Sequence, residues 1–473
     1  MISRDERQEI CVNKIIDSKV NGILEAATGF GKTWVSGLVL KRNKRDFKGH
    51  VIVPTESVKK QWIKFLKFLD LQDKMEVHII NGLVQRDTKL KGDIVIYDEC
   101  HLFPLGKQFG KIFELTDLSY RLGLSGTLSK KHKEALLKLK NPLKIVDTIT
   151  IDEAEKNGWC AKTITYNLFV DLNEKEREIY KNLNENFEKN AAYFGSDVNL
   201  IIRCGGSSSA KEYVDGIYNS GQILQNHEGL NLTREQARKF IQEKAFWGRK
   251  YMQDRKQFIY NATCKLNTSE ELISKFVSKF GNKFITFGQT TDSADLLHER
   301  LSYHKHIKSV AFHSKMKPID VAEDILIRHG IIDKEGKTLN LSFKPIKINK
   351  EKCANLYMSM FDRSELNGLV SAKALEVGLD AKGILLGVEV DGDSVKEDYN
   401  QRKGRSCRKE TIIYKGQEID KIACYVNIVL RDTKDESWVK SRQYGSRPAR
   451  IVNSVDDLIV DFEKVLDNQL NVN

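Results

Sequence analysis

The sequence predicts an α/β fold built on two parallel sheets joined by a mainly helical segment. Three observations lead there. Short apolar runs alternate with amphipathic segments from the start to about residue 150. The same texture returns from about residue 268. Between the two lie long, charged, helix-permissive stretches.

Taken in order, residues 23–26 (ILEA) predict a buried strand that runs into a glycine-rich turn. Residues 51–53 (VIV) predict a second strand, followed by a Lys-rich helix through Trp62 and Phe65. Residues 94–97 (IVIY) and 121–124 (RLGL) predict two more. Strand, turn, helix, strand is the pattern of a parallel sheet, because parallel neighbours need a crossover between them. Residues 174–190 and 233–258 predict helices, with the glycine/serine stretch 204–209 (CGGSSS) as a flexible loop between them. Apolar runs at 283–287, 310–312, 366–370, 383–388 and 423–430 predict a second α/β unit. The polar stretch 317–350 reads as an inserted loop or small hairpin. No tandem repeat is present. The expected boundaries are 1–160 and 268–445 for the two sheet domains, 161–267 for the helical insertion and 446–473 for a C-terminal tail helix.

Composition narrows the class. The chain has 473 residues, 40% hydrophobic and 30% charged, with only 6 Pro, so it has material for real cores and little sign of extensive disorder. A net charge of +12 suits a polyanionic partner. The 8 Cys are scattered without a CxxC pair or a Cys/His cluster at zinc-ligand spacing, which argues against a disulfide framework and for a reducing, cytoplasmic compartment. The polar start is unlike a secretory signal, and no run of about 18 apolar residues is present to span a membrane.

Two motifs carry chemistry. The first is AATGFGKT at 26–33, placed between an expected strand and an expected helix. Its glycines, with Ala27, Thr28, Gly29 and Gly31 forming the turn, let backbone N–H groups face phosphate oxygens. Lys32 would reach the β- and γ-phosphates, and Thr33 would ligate Mg²⁺. The second is Asp98-Glu99-Cys100-His101, directly after an apolar strand. Carboxylates at the C-terminal end of a parallel strand sit at the ligand crevice of an α/β sheet. Asp98 would hold Mg²⁺ and Glu99 would act as general base on the attacking water.

With both motifs in place the chain resembles the superfamily 2 helicases of the DEAH/DECH-box kind, with the remaining motifs in family order. That resemblance implies two tandem RecA-like domains, ATP and Mg²⁺ as cofactors, and nucleic acid as partner. Arg4 and Gln8 correspond to the adenine-reading segment. Pro54-Thr55, with Lys59, Lys60 and Gln61-Trp62 beyond, corresponds to the first nucleic-acid motif. Ser125-Gly126-Thr127 corresponds to the coupling motif, and His101 to a link between nucleotide state and the second domain. Residues 372–380 (AKALEVGLD) resemble the motif reaching both nucleotide and nucleic acid, with Gly378 and Asp380 on the nucleotide side. Here Ala372 stands where the family often has Thr, with Ser371 before it. Residues 401–408 (QRKGRSCR) resemble the QxxGRxxR motif, opening with Gln401; its two arginines, Arg405 and Arg408, would reach the γ-phosphate. An arginine supplied from a second domain makes hydrolysis depend on domain closure. The tail segment 425–443 resembles DNA-directed members such as the XPB-like and UvsW-like helicases and restriction-type motors, which favours DNA over RNA.

Two readings stand beside unwinding: a duplex translocase or strand-annealing motor, and an ATP-switched nucleic-acid binding protein. The basic stretch 233–258 offers phosphate contacts, with Trp247 and Tyr251 four apart on one helix face, or else a solvated basic face.

Overall fold

The computed structural model describes residues 2–42, 46–106, 109–332, 345–372 and 382–471. Among them are six strands that form the first sheet: β1 (Asn21–Ala26), β2 (Gly49–Val53), β3 (Met75–Ile79), β4 (Ile94–Asp98), β5 (Tyr120–Ser125) and β6 (Ile145–Ile149). Their spatial order is β3-β2-β4-β5-β1-β6, and all neighbours run parallel. Near-continuous apolar strands are what a sheet covered on both faces requires. Alternation divides them between two cores. Leu24, Val51, Val53, Ile96 and Leu122 pack with Cys11, Val35 and Trp62. Their neighbours Ile23, Ile52, Val95 and Tyr97 pack with Phe103, Ile112 and Leu136.

The chain continues through β7 (Lys162–Val170), β8 (Lys283–Gly288), β9 (Ser309–His313), β10 (Ile319–Val321), β11 (Ile346–Ile348), β12 (Gly368–Ala372), β13 (Ile384–Glu389), β14 (Thr411–Tyr414), β15 (Gln417–Asp420), β16 (Ile422–Leu430) and β17 (Arg450–Val452). The second sheet has the order β17-β7-β16-β13-β8-β12-β9. Ile285, Phe287, Leu369, Ile384 and Tyr425 lie in its core. Strands β10 and β11 pair antiparallel and, with the helix Glu323–Arg328 between them, bury Val321, Leu326 and Ile348. Residues 333–344 of the polar excursion lie outside the described residues.

The structure redraws two boundaries. β7, expected inside the helical insertion, is a strand of the second sheet; its β-branched and aromatic residues Thr163, Thr165 and Tyr166 are buried there. The C-terminal segment contributes β17, parallel to β7, before its helix Val455–Leu470 begins.

The chain divides into two compact units, one comprising Met1–Phe169, Thr268–Val429 and Glu436–Asn473, the other Val170–Asn267 and Leu430–Asp435. The first unit holds both sheets. The second is helical, with Glu174–Ala191, Val198–Cys204, Ser207–Asn219 and Arg234–Tyr260 around Phe187, Phe194, Ile201, Val214 and Ile241. A fully buried ion pair, Lys265 Nζ to Asp435 Oδ2 at 2.7 Å, ties the returning segment to it. The expected flexible loop at 204–209 is a helix junction instead. Cys204 ends one helix, Gly206 caps the next in extended conformation, and the serines form its first turn, where short polar residues are tolerated.

Candidate nucleotide and coupling site

Strand order explains why distant motifs meet. β2, β4, β5 and β1 are consecutive neighbours, and their C-terminal ends lead respectively into Pro54-Thr55, Glu99, Gly126-Thr127 and the phosphate loop. The register places Asp98 beside Leu124 and Glu25 beside Ser125. All four motifs therefore emerge at one edge, the crevice of an open α/β sheet.

The phosphate loop turns on Gly29 (φ +87°) and Gly31 (φ +98°), conformations that L side chains rarely adopt. The helix Lys32–Arg42 starts at once. Lys32 Nζ donates to the Ala26 carbonyl at 3.1 Å, bridging the loop's two ends. The N-terminal helix Arg4–Asp17 supports the turn: Gln8 Nε2 and Arg4 Nε both donate to the Phe30 carbonyl, at 2.7 and 3.0 Å. The Gln8 amide thus holds the loop backbone. A Cβ on Gly31 would come within 2.6 Å of it.

Asp98 is buried, and its Oδ2 accepts from Trp62 Nε1 at 2.7 Å. Burial, then the charge of Glu99, raises its carboxyl to about 6, against the opposing effects of Trp62 and Lys32. Glu99 sits in the left-handed region at φ +50°, a strained conformation for a non-glycine residue. Its Oε2 is buried without a hydrogen bond, 3.5 Å from His101 Nδ1.

Lys32, Thr33, Gly29, Gly31, Asp98, Glu99, Arg405 and Arg408 line one cavity of about 620 Å³, together with Arg4, Gln61 and Lys382. In it Arg4, Lys32, Lys382, Arg405, Arg408 and Lys409 outnumber Asp98, Glu99 and Glu410, a balance suited to a polyphosphate. Burial works against the Arg405 charge and Glu99 favours it. The donor set fits a Mg²⁺–nucleotide: a glycine cradle, a loop lysine, and two carboxylates at a strand end.

Ala27 and Thr127 line a second cavity of about 520 Å³. Thr28 meets the second sheet's helix Lys396–Gly404, where a Cβ on Gly404 would lie 2.7 Å from Thr28 Cβ. From that helix run two polar contacts to the first sheet. Asn400 Nδ2 donates to Thr127 Oγ1 at 3.3 Å, and Gln401 Nε2 lies 3.0 Å from His101 Nε2. The hydrogens follow by elimination. Ser125 Oγ donates to the Thr127 carbonyl at 3.2 Å, so it accepts from His101 Nδ1–H at 3.0 Å. That leaves His101 Nε2 to accept from the Gln401 amide. Four expected residues thus form one chain, Gln401 to His101 to Ser125 to Thr127. Arg402, within the same motif, pairs at 2.5 Å with the buried Glu389 and fastens the helix to β13.

Several site features escaped sequence reasoning. Trp62, expected near nucleic acid, instead orients Asp98. Thr55 caps the helix Glu56–Phe68 by accepting from the Val58 N–H, and Pro54 precedes it on the turn from β2. Lys60 pairs with Glu351 of the second half. Trp159 packs on Phe30 of the phosphate loop at 5.5 Å, while Ala161 N donates to the Cys407 carbonyl at 2.8 Å between the two arginines. The segment between the sheets therefore touches both halves of the cavity; Trp159 was its one conspicuous signal. In the helical unit, Trp247 and Tyr251 stack at 5.8 Å, Arg238 pairs with Asp215, and Arg255 is buried over Phe187. Gly378 and Asp380 lie outside the described residues.

Across 98% of this chain and 93% of the other, the fold matches Dbp5 of S. cerevisiae bound to RNA and ADP BeF3, with TM-score 0.55 and 12% identity. A family model described as "Type III restriction enzyme, res subunit" matches residues 2–91. The chain shares the fold of Dbp5. Its two parallel sheets are the tandem RecA-like domains that the resemblance implied. The helicase domain of Hef from Pyrococcus furiosus aligns over 92% of this chain and 97% of its own, at TM-score 0.47 and 15% identity. No curated protein matches the chain.

Proposed function

We propose that this chain is an ATP-driven nucleic-acid motor of the DECH-box branch, acting on DNA. The observation that carries the reading is the cavity in which Lys32, Asp98 and Glu99 of the first sheet face Arg405 and Arg408 beyond the second. Lys32 and the loop amides would bind the β- and γ-phosphates, with Thr33 and Asp98 holding Mg²⁺. That ion, when bound, would offset phosphate charge. Glu99, whose Oε2 is buried without a hydrogen bond, would take the proton of the attacking water. Arg405 and Arg408 would stabilise the charge that spreads over the transferred phosphoryl group. The chain of Gln401, His101, Ser125 and Thr127 would report that state between the two sheets.

The net charge of +12 supports a nucleic-acid partner, and the N-terminal match to a restriction-enzyme subunit model favours DNA. Dbp5 is the counter-case, since its structure holds RNA. The test is ATP turnover with single-stranded DNA, duplex DNA, forked DNA or RNA added. DNA should stimulate more than RNA, and stimulation should fall with added salt. Turnover unchanged by any of them would replace the motor with an ATP-switched binding protein. Stimulation by duplex without strand displacement from a fork would make it a translocase.

A further inference from the structure

β2 and β3 run parallel at the edge of the first sheet, in a register that pairs His50 with Glu76 and Ile52 with His78. Residues two apart on a strand share a face, so Glu76 and His78 project to one side. His50 projects with them. Their potential ligand atoms converge: His50 Nδ1 lies 3.0 Å from His78 Nε2 and 3.9 Å from Glu76 Oε2, and His78 Nε2 lies 3.4 Å from that same oxygen. Ligands about 2.0–2.1 Å from a tetrahedral ion stand about 3.3 Å apart, so these spacings bracket what such an ion needs.

The hydrogen bonding of His50 points the same way. Its Nε2 lies 3.1 Å from the Lys91 carbonyl, which can only accept. Nε2 therefore carries the proton, and the Nδ1 lone pair faces the cluster. Anchoring the far nitrogen of a ligating histidine on a backbone carbonyl is the usual support of a metal site. The glycine next to that carbonyl leaves room for the ring, since a Cβ on Gly92 would lie 3.3 Å from His50 Nε2. His50 is buried while Glu76 is 73% exposed, so the cluster opens to solvent on one side.

We propose that His50, His78 and Glu76 form a binding site for one zinc-class divalent ion, which clips the edge strand β3 to β2. Two imidazoles and one carboxylate select a borderline transition metal; Mg²⁺ and Ca²⁺ prefer oxygen ligands. The site is separate from the nucleotide cavity, which none of the three residues lines. Without the ion, His78 Nε2–H donates to His50 Nδ1. With it, the His78 proton sits on Nδ1, both facing nitrogens donate lone pairs to the metal, and no net proton is released.

The test is calorimetric titration of the chelator-treated full chain with Zn²⁺, repeated on His78→Gln and Glu76→Gln, with Co²⁺ as spectroscopic probe. The expected result is one ion per chain, with affinity weakened about ten-fold or more in each variant. Zn²⁺ should raise the Tm of the parent and leave that of His78→Gln unmoved. Co²⁺ should give visible d–d bands without the near-ultraviolet band of a thiolate ligand. ATP affinity equal to the parent's checks that each variant is folded; if His78→Gln is not, the exposed Glu76→Gln decides. No saturable binding, unchanged affinity in a folded variant, or a thiolate band that places the ion on cysteine would each overturn the site.

Discussion

At the scale of single residues, the candidate site depends on two carboxylates given different surroundings. Asp98 is buried against Trp62 Nε1, while Glu99 keeps an oxygen without a hydrogen bond. The first arrangement suits holding a cation and the second suits accepting a proton. Glu99→Gln should lower ATP turnover by about 10²–10⁴-fold while nucleotide affinity is retained. Single-turnover hydrolysis and equilibrium nucleotide binding check both halves of that statement. Trp62→Phe keeps the aromatic core but removes a donor from a buried carboxylate. A hydrogen bond to a charged group contributes about 1.5–3 kcal/mol. The Mg²⁺ concentration for half-maximal turnover should therefore rise by about ten-fold or more, with kcat at saturating Mg²⁺ nearly unchanged. A fall in kcat with unchanged Mg²⁺ dependence would place Trp62 in packing alone.

At the scale of elements, two contacts decide how the loops are held. The helix Lys396–Gly404 reaches the phosphate loop because Gly404 has no side chain. In Gly404→Ala the new Cβ would approach Thr28 Cβ to 2.7 Å, closer than real Cβ contacts, so the helix must shift. Turnover should drop by about ten-fold or more, with nucleotide affinity changed less, because the shift moves the arginines and leaves the loop glycines intact. Steady-state kinetics beside nucleotide binding distinguish the two. The second contact ties the N-terminal helix to β6. Burial alone would raise the Asp147 pKa, but hydrogen bonds from Arg7 and Lys14 outweigh it and hold the carboxyl at about 2. An unfolded aspartate titrates near 4, so the stabilisation is full above about pH 4 and disappears as pH falls toward 2. Asp147→Asn should cost roughly 2 kcal/mol at pH 7 and progressively less below pH 4. Denaturant unfolding at pH 7, 4 and 3 checks the convergence.

At the scale of the whole molecule, the proposed hydrolysis would depend on the approach of the two sheets. Arg405 reaches the cavity from beyond the second sheet, and Gln401 contacts His101 of the first. Arg405→Ala should keep ATP affinity within a few-fold and lower turnover by about 10³-fold or more, with and without nucleic acid. Lost affinity with proportionate turnover would instead make Arg405 a binding residue. Because Arg405 and the proposed base Glu99 lie on different halves, anything that alters their closure would change the rate of the proposed reaction without touching its chemistry.

Much of this was readable from residue order. Apolar runs with crossovers between them predicted both sheets, and the strand-turn-helix setting of residues 26–33 predicted the glycine turn, because these are local consequences of backbone geometry and burial. The carboxylates of Asp98-Glu99 were legible for the same reason: they directly follow an apolar strand. Pairings between distant residues were not. β7 looked like the start of a helical insertion because a strand's partners leave no local mark, and its place beside β16 and β17 appears only when the second sheet closes. Trp62 reads in sequence as one helix residue among lysines; only the neighbouring of β2 and β4 brings its N–H to Asp98. Gly404 reads as a motif glycine; only the meeting of helix and loop shows that it faces Thr28. Sequence alone determined which chemical groups the protein owns and which turns and strands carry them, since propensity and periodicity act over a few residues. Tertiary structure decided which of those groups share a cavity, since strand order and burial join residues hundreds of positions apart.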